Sequence, residues 1–330
     1  YISEVFMKKK LIIFSFILFF KIFSYSESDF LMFESAFKDI SNKTQDFLPE
    51  SSTLLSFQPD AFIGNFFPSI PPRFTVGISA SVTTVDTRFV ADDFTAMIND
   101  IISLVPDDYS PNVKFSIPQR IFLPNAAAQI RIGGFFLPFD FGVFGVTTTD
   151  NLINNITFDD FSMDLAYTSV GGDIRYAIFE GRNILPKLSV GAGYIYSKYT
   201  FGMDLDKTLF SNEYGAAKLT GDINLKLESH TIFAQIQASK KILFLTPSIG
   251  LKAYSTIFNS NLDWEISSKY TFLDLTKKDS YSSSNDLSKP LVQLFAGCGI
   301  QLWHLQLSVC GAYNFTSEQF SASAAVNFKM

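Results

Sequence analysis

The chain has 330 residues, 47% hydrophobic and 16% aromatic with 37 Phe, yet only 18% are charged against ~25% in ordinary soluble domains. That is too apolar for a disordered chain, and a net charge of −6 leaves no basic face for phosphates, so a nucleic-acid partner is not expected. Two Cys and two His exclude a disulfide-dense scaffold and a Cys/His zinc cluster, and no cofactor or metal is expected.

The first element is a signal peptide over residues 7–26. Met7 is followed by Lys8, Lys9 and Lys10, then by the uncharged run Leu11 to Phe20, with Ser24 and Ser26 as a cleavage pair. Residues 1–6 read as an upstream extension. Lys21 interrupts the run short of the ~20 residues that a spanning helix needs. No Cys follows, so no lipid anchor is expected. Residues 27–73 read as an N-terminal periplasmic or plug segment. Its first part places Phe30, Phe33, Phe37, Ile40 and Phe47 near one helical face. Its second part, Leu54 to Arg73, is apolar but carries Pro59, Pro68, Pro71 and Pro72, which disfavour a central strand. An apolar irregular segment must be sheltered by the fold that follows; Phe62, Phe66, Phe67 and Arg73 are its candidate plug or lid residues.

From residue 74 onward apolar and polar residues alternate with period two, the pattern of strands with one apolar face. Strands are expected at Phe74–Val85, Ala126–Phe136, Phe139–Thr147, Phe161–Phe179 and Leu188–Phe201. A helix capped by Asp92 and stopped at Pro106 is expected in the long connection after the first. In the fourth, the apolar phase moves from Met163, Leu165 and Tyr167 to Ile174, Tyr176 and Ile178, which suggests a bulge at Gly171–Gly172. Next come Ala217 to Leu227, Ile232 to Ala238, Leu243 to Ile257, Leu262 to Phe272, Val292 to Leu302, Leu305 to Tyr313 and Phe320 to Met330. Two-residue turns at Glu228–Ser229, Asn259–Ser260 and Ser317–Glu318 make the apolar faces of neighbouring strands coincide, and the same parity holds around Leu137–Pro138 and Trp303–His304.

Twelve strands result, within a range of 10–14, and an even number returns both ends to one side of a membrane. The expected fold is all-β: an antiparallel up-and-down transmembrane β-barrel over residues 74–330, preceded by the short helical or irregular segment. Three features place the apolar face in lipid. The polar face is Ser, Thr, Gly, Gln and Asn rather than charge; several strands exceed the ~9–11 residues of a tilted crossing; and long connections at 86–125, 148–160, 202–216 and 274–289 alternate with tight turns. Lys240–Lys241 is the exception, a short turn on the outer side. Tyr194, Tyr196, Tyr199 and Phe201, with Trp264, Trp303, Tyr313, Phe315 and Phe320, fall near strand ends as interfacial girdles would.

No catalytic constellation is present: His230 and His304 lie beside tight turns without a nucleophile or orienting group at a recognisable spacing, and the chain is not expected to be an enzyme. Arg131, Asp164, Asp173, Arg175, Lys218, Asp222, Lys226 and Lys252 occupy polar positions of their strands and are the candidate lumen charges. They would either pair and fill a modest lumen or bias solute passage through an open one. A two-residue turn at Trp303–His304 sets Cys298 opposite Val309 and Cys310 opposite Gly297, which leaves both thiols unpaired, whereas a three-residue loop would permit a disulfide.

With its signal, the apolar segment Leu54 to Arg73 and the terminal strand Phe320 to Met330 with alternating Val326 and Phe328, the chain resembles bacterial outer-membrane β-barrels. More loosely it is similar to the long-chain fatty-acid transporter-like barrels. The resemblance implies export to the bacterial outer membrane, with outer-membrane lipids and the barrel-assembly machinery as partners. It also implies a passive channel or transporter for small solutes, hydrophobic ones included. The other function open at this stage is a structural or surface-interaction barrel with a filled lumen and partner-binding external loops.

Overall fold

A backbone amide facing hydrocarbon has no water to bond to, so strands that cross a bilayer must satisfy one another around a closed ring. The computed structural model describes residues 48–50, 52–64, 72–86, 120–134, 138–147, 153–158, 161–181, 185–212, 215–270 and 273–330. Its strands are β1 (Arg73–Asp86), β2 (Arg120–Gly133), β3 (Phe139–Thr147), β4 (Ile153–Phe158), β5 (Phe161–Phe179) and β6 (Lys187–Asn212). They continue with β7 (Gly215–Ser239), β8 (Leu245–Tyr270), β9 (Leu273–Asn285), β10 (Leu291–Leu302), β11 (Leu305–Asn314) and β12 (Gln319–Lys329). Ten of them close a ring in the order β1-β2-β3-β5-β6-β7-β8-β10-β11-β12, with β12 returning to β1. β4 pairs only with the start of β5, above the part that pairs β3, and β9 pairs with the end of β8, above the part that pairs β10. β4 thus prolongs the stave begun by β3, and β9 leads into the stave completed by β10.

The faces are inverted relative to a soluble protein. Ile78, Ile130, Val143, Ile174, Ile232, Ile236, Leu251, Leu307, Val309 and Val326 are exposed on the outside, while Ser79, Gln129, Ser169, Ser197, Thr231, Gln237, Ser248, Gln306 and Asn327 are buried inside. A water-soluble body would bury the first set, so the outer belt is the surface that faces lipid. β11, with 10 residues, and β12, with 11, match the ~9–11 of one crossing. β6, β7 and β8, with 26, 25 and 26 residues, are more than twice as long, so their upper halves stand beyond the bilayer.

The register shows where they leave it. Val170, Tyr196, His230 and Ile257 form one row of cross-strand partners on the outer face, and the next outward row above is Thr168, Lys198, Glu228 and Asn259. Lys198 and Glu228 pair at 2.8 Å, and higher still Lys226 reaches Asp263 at 3.6 Å. Tyr194 bonds His230 Nδ1 at 2.7 Å, and the Tyr196 ring lies 5.1 Å from the imidazole, the amphipathic belt expected at a lipid–water boundary. On the inner side of the upper halves the side chains become apolar: Tyr167, Tyr199, Leu227, Phe258 and Leu262 are buried there.

This inversion corrects several expectations. Glu228–Ser229 and Asn259–Ser260 are not turns; both lie inside continuous strands, and the four strands expected around them are β7 and β8. That is why the ring has ten staves rather than about twelve. No bulge occurs at Gly171–Gly172, where the pairing of β5 with β3 and β6 is unbroken; the β5–β6 register shifts only between Ala177 and Phe179. The connections expected at 202–216 and 274–289 are largely strand and the one at 148–160 contains β4, and Lys240–Lys241 falls at the lower end, with the other short turns. The β11–β12 turn spans four residues, so Tyr313 faces Phe320 rather than Ala322. At the β10–β11 turn the pairs are Cys298 with Val309 and Gly297 with Cys310, the thiols lie on opposite faces, and both are free. The signal peptide, the helical face at residues 30–47 and the helix capped by Asp92 lie outside the described residues.

The inversion predicts position-dependent tolerance on one outer face. Ile236→Arg, in the belt, should cost ~2–4 kcal/mol of folding free energy, and Asn259→Arg, above the boundary, about 1 kcal/mol or less. Reversible unfolding in phospholipid vesicles measures both.

Candidate functional site

The lumen holds a segment of the chain itself. Residues 48–64 contain helical turns at 48–50 and 52–54 and no strand, because Pro49 and Pro59 and the absence of alternation prevent them from joining the sheet. Its described residues are buried, Asp60 alone partly so. The segment bonds to every stave of the ring, which is possible only from inside. Near the upper rim Glu50 accepts hydrogen bonds from Tyr254 of β8 at 3.2 Å, Ser317 of the β11–β12 turn at 2.6 Å and Ser321 of β12 at 3.2 Å. One turn lower the Thr53 carbonyl accepts from Lys252 of β8 and Thr53 Oγ1 donates to Gln293 of β10. The Leu55 carbonyl accepts from Ser79 of β1, and Gln58 meets Gln129 of β2 and Gln237 of β7. At the lower end Asp60 pairs with Lys329 of β12 and Gln306 of β11, Ala61 is bonded to Ser189 of β6 and Ser239 of β7, and Ile63 to Asp140 of β3.

Small residues on the wall admit this segment. A Cβ at Gly297 would come within 2.6 Å of the Phe57 ring, and one at Gly299 within 2.5 Å of Pro59. At its end the segment turns at Gly64, whose φ is +113° and where a Cβ would fall 2.7 Å from the Gly134 amide nitrogen, so that no side chain fits.

The strongest polar anchor is a four-residue ion cluster on three adjacent staves. Asp140 receives Arg175 through both carboxylate oxygens, at 2.8 and 2.7 Å, together with Arg131 at 2.5 Å and the Ile63 amide at 2.7 Å. Arg131 also reaches across β3 to Asp173 at 2.5 Å. The residue between them is Gly142, partner of Arg131 on one side and of Asp173 on the other; a Cβ there would fall 2.4 Å from the guanidinium. Arg175 Nη1 donates to the Asp60 carbonyl at 2.9 Å. Two cations and two anions balance, and the cluster holds backbone groups on both sides of residue 61.

Between the polar anchors the wall carries two apolar patches, each covered by the segment. Phe144, Ile195, Phe233, Tyr254 and Leu291 run obliquely across neighbouring staves beneath Leu55, and Phe295, Cys310 and Ala312 lie beneath Leu54 and Phe57. The Lys252 ammonium lies 4.7 Å from the Phe233 ring and 5.8 Å from the Phe295 ring, between the patches. Burial pushes the Glu50 carboxyl up from 4.5 to about 7, although Ser317, Asn314, Tyr254 and Ser321 all bond it. Burial works in the same direction on Asp60, but there the ammonium of Lys329 prevails and holds the carboxyl below its usual value.

Of the residues singled out from the sequence, Arg131, Asp173, Arg175 and Lys252 point into the lumen and are buried, and Phe62 is buried in the plug. Asp164, Asp222 and Lys226 do not: they occupy the outward parity of the upper hairpins, and Asp222 and Lys226 are exposed there. The side chain of Lys218 and residues Phe66 and Phe67 lie outside the described residues. Arg73 is the first residue of β1 and is exposed at the lower end of the barrel, on the inward parity that it shares with Thr75 and Ser79. Glu50, Asp60 and Asp140 were missed. Asp140 had a usable signal, the parity opposite to Phe139, Phe141 and Val143, whereas Glu50 and Asp60 sit where no periodicity exists.

No protein-family model matches the chain, and no curated protein matches it. Solved structures similar to it include the outer membrane protease OmpT from Escherichia coli, 9% identical with a TM-score of 0.40 over 83% of this chain and 100% of that one. The toluene transporter TbuX of Ralstonia pickettii is similar at 9% identity and a TM-score of 0.26, over 78% of this chain and 88% of that one. A Pseudomonas aeruginosa FadL homologue is similar at 8% identity and a TM-score of 0.27, over 78% and 89%.

Two consequences of the luminal contacts are measurable. Asp140→Asn leaves two buried guanidiniums facing one carboxylate and should lower stability by ~3–5 kcal/mol, read as an earlier loss of heat-resistant gel migration. The raised Glu50 value means that folding favours its neutral form, so its contribution is complete below pH 4.5 and is lost as pH rises through about 7. The unfolding temperature should therefore fall between about pH 5 and about pH 8, and Glu50→Gln should flatten that dependence.

Proposed function

We propose that this protein is a bacterial outer-membrane conduit for small hydrophobic solutes, closed at rest by residues 48–64. The observation that carries the reading is the pair of apolar wall patches, each capped by the plug side chains Leu54, Leu55 and Phe57. These side chains occupy places that an apolar solute would take. Above them the inward residues Tyr167, Tyr199, Leu227, Phe258 and Leu262 form further apolar surface towards the long-hairpin end, set off from the patches by the hydroxyls of Ser169, Ser197 and Ser229. The rest of the wall is Ser, Thr, Gln and Asn, side chains that tolerate water once the plug moves. Arg131, Asp173, Arg175 and Lys252 act in this reading as holders of the plug rather than as a selectivity ring, because their charges are turned on one another and on its backbone.

A second reading has its own support. The balanced ion cluster and the contacts to all ten staves are also what a permanently filled lumen would show, and the charged outer faces of the hairpins would then serve as contact surfaces. Flux separates the two. Purified protein in liposomes should pass neither a sugar nor a small aromatic solute beyond protein-free vesicles, whereas protein lacking residues 48–64, and more weakly the Asp140→Asn protein, should pass the aromatic. Absence of flux from both variants, with barrels shown to be folded by heat-modifiable migration, would remove the conduit reading and leave the filled barrel.

A further inference from the structure

Two short turns at the lower end of the barrel lie side by side. Leu243–Phe244 joins β7 to β8 between the paired residues Ile242 and Leu245, and Trp303–His304 joins β10 to β11 between Leu302 and Leu305. The Gln301 amide donates to the Phe244 carbonyl at 2.8 Å, which fixes one turn against the other. The first residue of each turn is left-handed: Leu243 and Trp303 both have a φ of +55°. Two-residue hairpin turns favour Gly there, because a bulky side chain strains that backbone. The chain instead carries Leu and Trp at the two tips, 85% and 95% exposed, beside exposed Ile242, Phe244 and Leu302. Strained backbone and exposed apolar surface together mark a place where something outside the barrel is met.

The depth of the tips says what they meet. A lipid-facing belt is ~25 Å tall and its strands tilt by ~35–45°, so at a rise of ~3.4 Å per residue it takes up about ten residues of each strand. Counted down β8 from Ile257 in the upper boundary row, that span of about ten residues ends at Pro247, opposite Cys298 of β10. The two turns follow directly, at the level of the lipid headgroups. Charge then selects among headgroups. The described basic residues of this end are Arg73, Lys187, Lys240, Lys241 and Lys329, and its described carboxylates outside the ion cluster are Asp60 and Glu180; Asp60 is taken by Lys329. Beside the tips Lys240 donates to the Leu185 carbonyl at 3.0 Å and Lys241 to Gln301 Oε1 at 3.1 Å. Both acceptors are uncharged, so these bonds orient the ammoniums without neutralising them. We propose that the paired turns form a site for an anionic glycerophospholipid, with Leu243 and Trp303 among its glycerol and upper acyl groups and Lys240 and Lys241 on its phosphodiester. A zwitterionic lipid carries its own cation and gains less from the two lysines. In outer-membrane barrels the short turns face the periplasm, so the leaflet engaged is the periplasmic one. The site rests on the lipid-facing belt and is independent of solute passage and of the plug.

Trp303 reports on the site, since Trp264→Phe leaves it the single tryptophan of the chain. That protein is reconstituted in phosphatidylcholine vesicles in which a rising fraction of the lipid is brominated near the glycerol end of its acyl chains, as phosphatidylglycerol in one series and as phosphatidylcholine in the other. Bromine in contact with an indole quenches its fluorescence. Both lipids should quench Trp303, and phosphatidylglycerol should reach half its full effect at a mole fraction lower by about fivefold for each lysine engaged. Lys240→Gln combined with Lys241→Gln should bring the two curves together, with folding established by heat-modifiable migration. If that variant does not fold, about 1 M salt acting on the unchanged lysines takes its place, because it screens their charge. Coincident curves with both lysines present overturn the proposal, as does a preference that survives the double substitution or, in its place, the salt. Absence of quenching by either lipid overturns it too, and leaves the tips to a partner in solution.

Discussion

The structure depends on the demand that hydrocarbon makes of a polypeptide backbone. An unpaired N–H or C=O in the bilayer core costs several kcal/mol, so no stave can stand at an edge. The ring has to close through β12 on β1 and through the lower half of β8 on β10. Above the boundary the demand lapses, and there the sheet has liberties. β4 and β9 lie off the ring, β9 holding only the upper half of β8, and the hairpins differ in height because water satisfies whatever edge they leave.

The same boundary sets which face of each strand is apolar. Below the row of Val170, Tyr196, His230 and Ile257 the outside is hydrocarbon and the inside carries hydroxyls and amides around the two apolar patches that the plug covers. Above it the outside is water, and the inner side chains become the apolar ones. A strand such as β7 carries both patterns without a break in its pairing. Its lower half presents Ile232 and Ile236 outward; its upper half presents Lys226 and Glu228 on that same parity.

Inside the barrel of ten staves the plug, a single pass of chain, makes contacts of two kinds. Polar anchors read its backbone, as Lys252 does at Thr53 and Arg175 at Asp60. Apolar caps cover wall patches that would otherwise face water. The ion cluster depends on an absent side chain: only because residue 142 is glycine can Arg131 cross β3 to Asp173. Buried charges of this kind contribute little net stability while they are balanced, but removing one member is costly. Such a plug is held firmly and at defined points.

The sequence by itself determined the fold class, because period-two alternation with a nearly uncharged polar face has no comfortable place in water, and parity identified Arg131, Asp173, Arg175 and Lys252 as inward. The β10–β11 turn and the opposed faces of Cys298 and Cys310 were legible for the same reason. The stave count and the places of Asp222 and Lys226 were not. A two-residue hairpin turn and a passage from lipid into water both switch the apolar parity, and only the continuous pairing of β7 and β8 tells one from the other. The roles of Glu50, Asp60 and Asp140 were decided by tertiary structure alone. Their partners lie on strands up to 271 residues away in the chain, and an irregular segment carries no periodicity from which its depth or direction could be read.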